Sequence, residues 1–207
     1  LSMLKRKENK SNKSLVILGS LFLISGLSLI FLTIYTGFKT KTDEEIALDN
    51  FYIEEQQEEI TDNTTTEEVV EEKKETSINY IAVLRIPKIN FKRGLVDKDS
   101  KYNNIKYNIM IHKESDAPDK EGGNVILVAH SGTAGVSYFR NVDKLSLDDE
   151  IYLDYNSQTY SYKITNIYDI EKTGIAPIRK ETTKSTITLI TCRHNTNKQI
   201  VVIAEIA

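Results

Sequence analysis

Hydrophobic and polar positions divide the chain into three stretches with different patterns. Residues 15–35 run without a charged side chain, and no face of a helix built from them would be polar. From Ile78 onward, β-branched and aromatic runs alternate with turn residues at short intervals, which is the pattern of β-strands. The stretch between them is dominated by acidic residues. The pattern therefore predicts an apolar helix, a polar spacer and a β-rich domain, in that order.

The apolar run, LVILGSLFLISGLSLIFLTIY, has the length of a membrane span, because a helix needs about 20 residues to cross the hydrocarbon core of a bilayer. Residues 1–14, which precede it, form a basic tail with five Lys or Arg residues and one Glu. This asymmetry predicts a cytoplasmic N-terminus and an extracellular domain. A cleaved signal peptide is the alternative, but it would have a shorter apolar region and a cleavage site of small residues. We therefore expect residues 15–35 to be a single-pass transmembrane signal anchor in the cell membrane.

Residues 36–77 are expected to form an acidic, flexible stalk. Between positions 43 and 75 the sequence has 14 acidic residues against Lys73 and Lys74, a local charge of −12. Such a run buries too little apolar surface to offset the entropy of ordering, and its charges repel one another. A short helix over residues 46–60 is the alternative to an extended, solvated spacer. We favour the spacer, which would hold the following domain away from an anionic surface.

Residues 78–207 have the features of one β-domain with its own core. Asn156 and Ser157 have the character of a tight hairpin turn, and the spacing of Phe139, Val142 and Leu145 indicates a short helical turn packed on the sheet. The runs VILVA and IVVIA are apolar on both faces, so they are expected to be central strands. Many short strands and few helices predict an all-β barrel or sandwich, between which periodicity does not choose. Seven runs have strand character: Tyr80–Ile86, Phe91–Val96, Asn124–His130, Glu150–Tyr155, Thr159–Ile170, Thr186–Thr191 and Gln199–Ile206.

Charge and cysteine content exclude several classes of protein. The whole chain has 27 basic and 30 acidic residues, a net charge of −3. A general nucleic-acid binder would show a basic excess, so no nucleic-acid partner is expected. The charge is unevenly distributed, since residues 78–207 alone have 18 basic and 15 acidic side chains. A single cysteine, Cys192, excludes a disulfide within the chain and a metal site built on several cysteines.

Cys192 lies where an apolar run meets polar sequence. It ends the run TITLIT and is followed by RHNTNKQ, which puts it at the end of a strand. His130 ends a second apolar run, NVILVA, in the same way, so the two side chains would emerge at one rim if their strands are neighbours. A free thiol on the oxidising side of a membrane is a liability unless it is used, and a nearby imidazolium would favour the reactive thiolate. His194 is the alternative partner, and His112 is expected to be a solvated loop residue. An inert Cys192 packed in the core and a site without a catalytic histidine also stay open at this point.

The segments TLITC (188–192) and LVAHSG (127–132), followed by the last run QIVVIAEI, resemble the sortase family, the membrane-anchored cysteine transpeptidases of Gram-positive bacteria. The resemblance covers about residues 78–206, and the order of anchor, stalk, histidine and cysteine agrees with it. It implies a closed eight-stranded β-barrel with short helices. The segment between Ile170 and Thr186 is too short for the long helix of class B sortases, which favours a class A-like or class D-like enzyme.

This resemblance implies catalytic roles for Cys192 and His130. Cys192 would attack the carbonyl after Thr in an LPxTG-like sorting signal of a surface protein and form a thioacyl-enzyme. His130 would protonate the departing Gly amine and then deprotonate the incoming amine, which belongs to a peptidoglycan precursor or to a pilin lysine. The reaction exchanges an amide for a thioester and then for another amide, so it requires no cofactor and no metal.

One position departs from the family pattern. In sortases an arginine near the start of the last strand takes part in stabilising the oxyanion, and the family spacing leads to Gln199 instead. A glutamine donates a neutral hydrogen bond but supplies no charge. Lys198 and Arg193 are the neighbouring cations that would have to move in, so all three residues are candidates for oxyanion or substrate support.

Two alternative functions stay open at this point. The missing arginine is compatible with a stalked surface-binding module of weak or absent activity. A plain thiol peptidase, in which water resolves the thioester, is the second alternative. Calcium, which some sortases bind through acidic loops, is not expected, because Asp116, Asp119, Glu121 and Glu171 are scattered rather than spaced as a ligand loop.

Overall fold

A long helix and eight strands account for most of the regular structure. The computed structural model describes residues 10–61, 78–173, 175–176 and 183–207. Helix α1 spans Lys10–Thr61, and the chain divides into two compact units, Leu1–Glu44 and Glu45–Ala207. The other helices of the described chain are two single 3-10 turns, Pro87–Ile89 and Val142–Lys144.

The first unit contains the apolar part of α1. Leu15–Gly37 is 23 residues long with a mean hydropathy of 2.6, and within the described ranges it is the one helical segment long and apolar enough to cross a membrane. Hydroxyl side chains in it bond to the backbone of the preceding turn, Ser20 Oγ to Ile17 O and Thr33 Oγ1 to Leu29 O, each at 2.8 Å. Polar groups that are satisfied within the helix suit a lipid environment. An apolar N-terminal helix of the predicted kind is therefore present, and it supports a single-pass anchor.

The end of α1, residues 45–61, belongs to the second unit. Ala47 and Phe51, one helical turn apart, are 2% and 5% exposed and pack with Tyr80, Val83 and Val96 of the β-domain. An extended spacer was expected over residues 36–77, whereas the described part, residues 36–61, is helical. The expectation of a spacer was based on the number of charges and took no account of the apolar face of this otherwise acidic helix. Residues 62–77 of the expected stalk lie outside the described residues.

The strands of the β-domain form one sheet. Their bounds are β1 Ala82–Ile86, β2 Phe91–Leu95, β3 Met110–Ile111, β4 Asn124–Val128, β5 Glu150–Tyr155, β6 Gln158–Glu171, β7 Thr186–Cys192 and β8 Lys198–Ile206. The order in the sheet is β2-β1-β5-β6-β8-β7-β4-β3. All neighbours are antiparallel except β4 and β7, which are parallel. Seven strands agree with the predicted runs, and the two-residue β3 was not predicted because it is too short to show alternation.

The sheet curls into a nearly closed barrel with β2 and β3 at its two ends. Side chains bridge the seam, since Arg93 Nε of β2 donates to Asn108 Oδ1 at 3.0 Å and Asn108 Nδ2 donates to the Gly94 carbonyl at 3.2 Å. Both Arg93 and Asn108 are buried, so these hydrogen bonds satisfy polar groups that water does not reach. The predicted eight-stranded barrel is confirmed, with the difference that side chains rather than a strand pair join its ends.

Apolar side chains cover both faces of the central strands. Inside the barrel, Leu127, Leu189 and Val202 are fully buried. The opposite face of the same strands has a second apolar cluster, which we call the outer apolar face. Three of its residues are buried, namely Ile126, Ile190 and Val201, and five are partly buried, namely Val128, Tyr168, Ile170, Ala176 and Ile203. The expectation that VILVA and IVVIA form central strands is therefore confirmed.

Two predicted turns are also confirmed. Asn156 and Ser157 have φ angles of 49° and 58° between β5 and β6, which is the left-handed conformation of a two-residue type I′ hairpin. Phe139, Val142 and Leu145 are buried around the 3-10 turn at residues 142–144. These three side chains anchor the long connection between β4 and β5, which begins with Ala129 and includes His130.

Candidate active site

Cys192 and His130 lie at the ends of the one parallel strand pair. The register of β4 and β7 runs from Asn124 opposite Thr186 to Val128 opposite Ile190. Continued by two residues, this register brings His130 level with Cys192, the last residue of β7. Parallel strands end at the same edge of a sheet, so both residues emerge where the barrel meets solvent.

Three hydrogen bonds tie the two strand ends together. The Ala129 amide donates to the Ile190 carbonyl at 3.3 Å, and Thr191 Oγ1 donates to the Ala129 carbonyl at 2.7 Å. One residue further on, Ser131 Oγ donates to the Cys192 carbonyl. Ser131 is buried, whereas His130 is exposed and Cys192 is half-buried. The backbone on both sides of the thiol and the imidazole is thus fixed, and the side chains themselves are accessible.

Both residues belong to the outer side of the barrel. Side chains alternate along a strand, and paired residues share a face. Cys192 is therefore on the same face as Ile190, and His130 on the same face as Val128, so both continue the outer apolar face. Burial raises the pKa of the Tyr168 hydroxyl on that face, and a tyrosine hydroxyl is uncharged around neutral pH even without this shift. The reactive edge is thus contiguous with an apolar, uncharged surface.

The three candidates for oxyanion support have different surroundings. Gln199 lies opposite Cys192 in the antiparallel ladder of β7 and β8, on the same face. Arg193 Nε donates to Asp169 Oδ1 at 2.8 Å, and Asp169 is paired with Ile200, which is buried inside the barrel. The ion pair therefore holds the Arg193 side chain on the face of the sheet opposite Cys192.

Lys198 is exposed and lies opposite Glu171 at the end of the β6–β8 ladder. It is one residue out of phase with Gln199, so its side chain leaves the strand from the other face. Of the three candidates, Gln199 is the one that the register brings beside the thiol.

The other two histidines are separate from this pair. His194 is two residues past Cys192, and its Nε2 is 3.1 Å from the Arg140 carbonyl oxygen, to which it donates. His112 follows β3, and its Nδ1 accepts a hydrogen bond from the Glu114 amide at 3.3 Å. His112 therefore lies in a loop, as expected, but it is half-buried rather than fully solvated.

Sequence reasoning missed two residues at the edge. Ser131 was part of the quoted segment LVAHSG, yet its hydroxyl bond to the Cys192 backbone has no signature in the sequence. Arg140 follows Phe139 in the β4–β5 connection, and its guanidinium group donates hydrogen bonds to three carbonyl oxygens. An arginine in a segment rich in small residues was the available signal, since such segments depend on side chains to order their backbone.

Of the acidic residues considered for calcium, Asp116 forms local contacts within the chain. Asp116 Oδ2 accepts a hydrogen bond from the Asn124 amide at 3.0 Å, and Asp116 Oδ1 forms an ion pair with Lys120. Within the described ranges, no group of three or more His, Cys, Asp or Glu side chains is arranged to hold a metal ion.

Comparisons with known proteins agree with this geometry. A family model described as "Sortase domain" matches residues 84–207. A sortase D5 transpeptidase from Clostridium perfringens is 22% identical with a TM-score of 0.57, over 81% of this chain and 97% of that one. A lid mutant of sortase A from Corynebacterium diphtheriae is 22% identical with a TM-score of 0.56, over 62% of this chain and 70% of that one. Sortase C from Streptococcus pneumoniae is 20% identical with a TM-score of 0.55, over 62% and 68%. No curated protein matches the chain.

Proposed function

Because the chain belongs to the sortase family of cysteine transpeptidases, we propose that it cleaves an LPxTG-like sorting signal and transfers the cleaved surface protein to an amine. The observation that carries the proposal is the parallel register of β4 and β7, which pairs Val128 with Ile190 and, continued by two residues, would bring His130 level with Cys192. A thiol beside an imidazole is the pair that nucleophilic catalysis by cysteine requires. The half-buried thiol is reached from the outer side of the barrel, where a peptide would bind.

The first half-reaction forms a thioester. The Cys192 thiolate adds to the carbonyl carbon of the residue before the scissile bond, and the C–N bond then breaks. The His130 imidazolium gives its proton to the leaving amine. In the second half-reaction an acceptor amine attacks the thioester, His130 takes up the amine proton, and the Cys192 thiolate leaves as the new amide forms. The thioester conserves the free energy of the first amide, so no ATP is consumed.

The oxyanion that forms in each half-reaction needs a donor at a fixed position. We assign this role to Gln199, whose amide group is on the face of Cys192 and directly across the ladder from it. Arg193 is less suited to this role because it forms an ion pair with Asp169. Lys198 is less suited because its side chain leaves the strand from the opposite face. A neutral donor in place of a charged one predicts a slower enzyme than a sortase with arginine at this position.

The outer apolar face supports an extended, apolar peptide as substrate. It continues from Cys192 along β7, β8 and the adjacent part of β6 through Ile190, Val201 and Tyr168. Ile126, Ile190 and Val201 are already buried, so an extended sorting signal would place its Leu and Pro side chains against the partly exposed members of this face, such as Val128 and Tyr168, and present its Thr carbonyl to the thiol. The amine acceptor is a peptidoglycan precursor or a pilin lysine, as for the family in general.

The apolar helix supports a location at the cell membrane. Five basic residues precede Leu15, which predicts a cytoplasmic N-terminus and an extracellular barrel. An enzyme in that position would meet surface proteins as they leave the membrane.

The test uses the full-length chain in detergent with a quenched LPxTG peptide, with and without an amine acceptor. We expect cleavage by the wild type, no cleavage by Cys192→Ala, and at least about a hundredfold loss in His130→Ala. His112→Ala is the matched control, because it removes a histidine that lies away from the strand ends. Unchanged turnover in Cys192→Ala would overturn the nucleophile.

Analysis of the products separates the alternatives. An amide between the peptide and the acceptor shows transfer, whereas the free acid alone in the presence of the acceptor shows a thiol peptidase. A wild type that binds the peptide without cleaving it would point to a surface-binding module.

A further inference from the structure

We propose that Arg140 and His194 are positioning residues, whose backbone and side-chain bonds hold the segment after His130 in line with the segment after Cys192. The inference rests on the proposed function, because it assigns the two residues to the alignment of the proposed catalytic pair. Neither residue touches the peptide or the reacting atoms in this assignment.

Arg140 orders the exposed turn that follows His130. Its Nε donates to the Gly132 carbonyl at 3.0 Å, and its Nη2 donates to the carbonyls of Thr133 and Ala134 at 2.7 and 3.0 Å. The planar guanidinium group presents several donors in a fixed fork, so one side chain determines the direction of three successive peptide groups. Gly132, Thr133 and Ala134 are all exposed, so burial contributes little to ordering this turn.

The backbone of the same segment is bonded back to His130. The amide of Phe139, a fully buried residue, donates to the His130 carbonyl at 2.9 Å. The turn held by Arg140, residues 132–134, thus begins two residues after His130. The segment returns to His130 through Phe139, which precedes Arg140 in the chain. A shift of this turn would therefore displace the backbone of His130 and, with it, the imidazole.

His194 joins this closed segment to the strand of the thiol. Its Nε2 donates to the Arg140 carbonyl at 3.1 Å. His194 and Ser131 thus form two bonds that run in opposite directions across the site, one from the Cys192 side to Arg140 and one from the His130 side to the Cys192 carbonyl. We call this arrangement the Arg140–His194 link.

The link matters because catalysis by a side-chain pair depends steeply on geometry. A misplacement of about 1 Å can lower a rate by about a hundredfold even when the reacting groups are intact. The strand pairing fixes residues up to Cys192 and Val128, while the imidazole is attached beyond the end of β4. The bonds of Arg140 and His194 are the described side-chain contacts that continue this alignment past Ser131.

The experiment compares four variants of the full-length chain in detergent: Arg140→Ala, Arg140→Lys, His194→Phe and His194→Gln. Two readouts are used, namely kcat and KM with the quenched peptide, and the rate of alkylation of the thiol by iodoacetamide as a function of pH. Because the chain has one cysteine, intact mass reports alkylation at Cys192 alone. Lys144→Ala is the matched control, since it removes a positive charge from the same connection and leaves the link in place.

We expect Arg140→Ala and His194→Phe to lower kcat by at least about tenfold, to leave KM unchanged, and to shift the pH profile of alkylation. His194→Gln should stay close to the wild type, because the glutamine amide can donate to the same carbonyl, and Arg140→Lys should rescue only part of the loss. A purely structural role would give a lower melting temperature with unchanged kcat and an unchanged alkylation profile.

The proposal is overturned if His194→Phe retains the wild-type kcat and alkylation profile, or if His194→Gln is as defective as His194→Phe. The comparison of His194→Phe with His194→Gln tests the proposal even if Arg140→Ala does not fold. A wild type that does not cleave the peptide would count against the proposed function alone, because the alkylation profiles still compare the linked and unlinked forms of the protein.

Discussion

Gln199 lies directly opposite Cys192 across the β7–β8 ladder, on the same face of the sheet. We expect Gln199→Ala to lower kcat by about tenfold, equivalent to about 1.4 kcal/mol of barrier, because it removes the proposed donor to the oxyanion. Gln199→Arg should raise kcat above the wild type by adding charge to that donor. Turnover of the quenched peptide measures both effects.

The control for these variants is Asn197→Ala, which changes an exposed amide in the adjoining loop. If Gln199→Ala and Asn197→Ala have the same turnover, Gln199 has no part in the reaction.

Gly94 is required by the ring of Tyr80. A Cβ added at Gly94 would lie 2.2 Å from two carbon atoms of that ring, and Tyr80 is only 2% exposed, so the ring has no space to retreat. We expect Gly94→Ala to lower the free energy of unfolding by about 2–3 kcal/mol, measured by urea denaturation. Gly135→Ala is the control, because its added Cβ would meet no atom within 4 Å. Equal stability of the two variants would contradict the close packing of Tyr80.

Phe51 attaches the end of α1 to the β-domain. It is buried among Tyr80, Val83 and Val96, so Phe51→Ala should lower the free energy of unfolding by about 3 kcal/mol through lost burial and a cavity. Asp49→Ala, two residues away on the exposed side of the same helix, should change it by less than about 0.5 kcal/mol. A Phe51→Ala variant as stable as Asp49→Ala would show that this part of α1 is not docked.

Asp154 makes the stability of the same region dependent on pH. Burial by itself would raise the pKa of the Asp154 carboxyl, but hydrogen bonds from Arg85 and Thr159 outweigh burial and lower it. Tyr52 of α1 also donates to this carboxylate at 3.0 Å, and burial together with the Asp154 charge raises the pKa of the Tyr52 hydroxyl.

Because the pKa of Asp154 is lower in the folded chain than in the unfolded chain, its contribution to stability is fully present above about pH 4 and is lost as the pH falls through the lowered value. We expect Asp154→Asn to cost about 2 kcal/mol at pH 7 and progressively less below pH 4, measured by urea denaturation at each pH. Asp143→Asn, an exposed carboxylate in the β4–β5 connection, serves as control. A cost for Asp154→Asn that stays constant down to pH 2 would rule out this linkage.

The strand ends at Cys192 and His130 were predictable because both lie where an apolar run stops abruptly at polar sequence. Their alignment was not, because it depends on the parallel pairing of β4 with β7, two strands separated by two others along the chain. Periodicity reports which residues are apolar within a strand, and it carries no information on which distant strand becomes the neighbour. The barrel was predicted from the resemblance to a family and not from the residue pattern.

The helical end of α1 was only the second choice, after an extended spacer, for a different reason. Local charge repulsion was weighed against helix formation, whereas the energy that holds residues 45–61 comes from the burial of Ala47 and Phe51 against another part of the chain. The contact of His194 with Arg140 joins two loops 54 residues apart, and no local signal encodes such a contact.

The strand order also determines when the site comes into existence. The β5–β6 hairpin lies between β4 and β7 along the chain, and β7 is held on its other side by β8. Contacts of such large sequence separation close late, since the entropy of the intervening loop must be lost first. In the proposed function, the thiol would therefore gain its aligned imidazole only after β4 and β7 have paired. A chain folded only in part would then lack the proposed activity, so completion of the fold would itself act as the activation step.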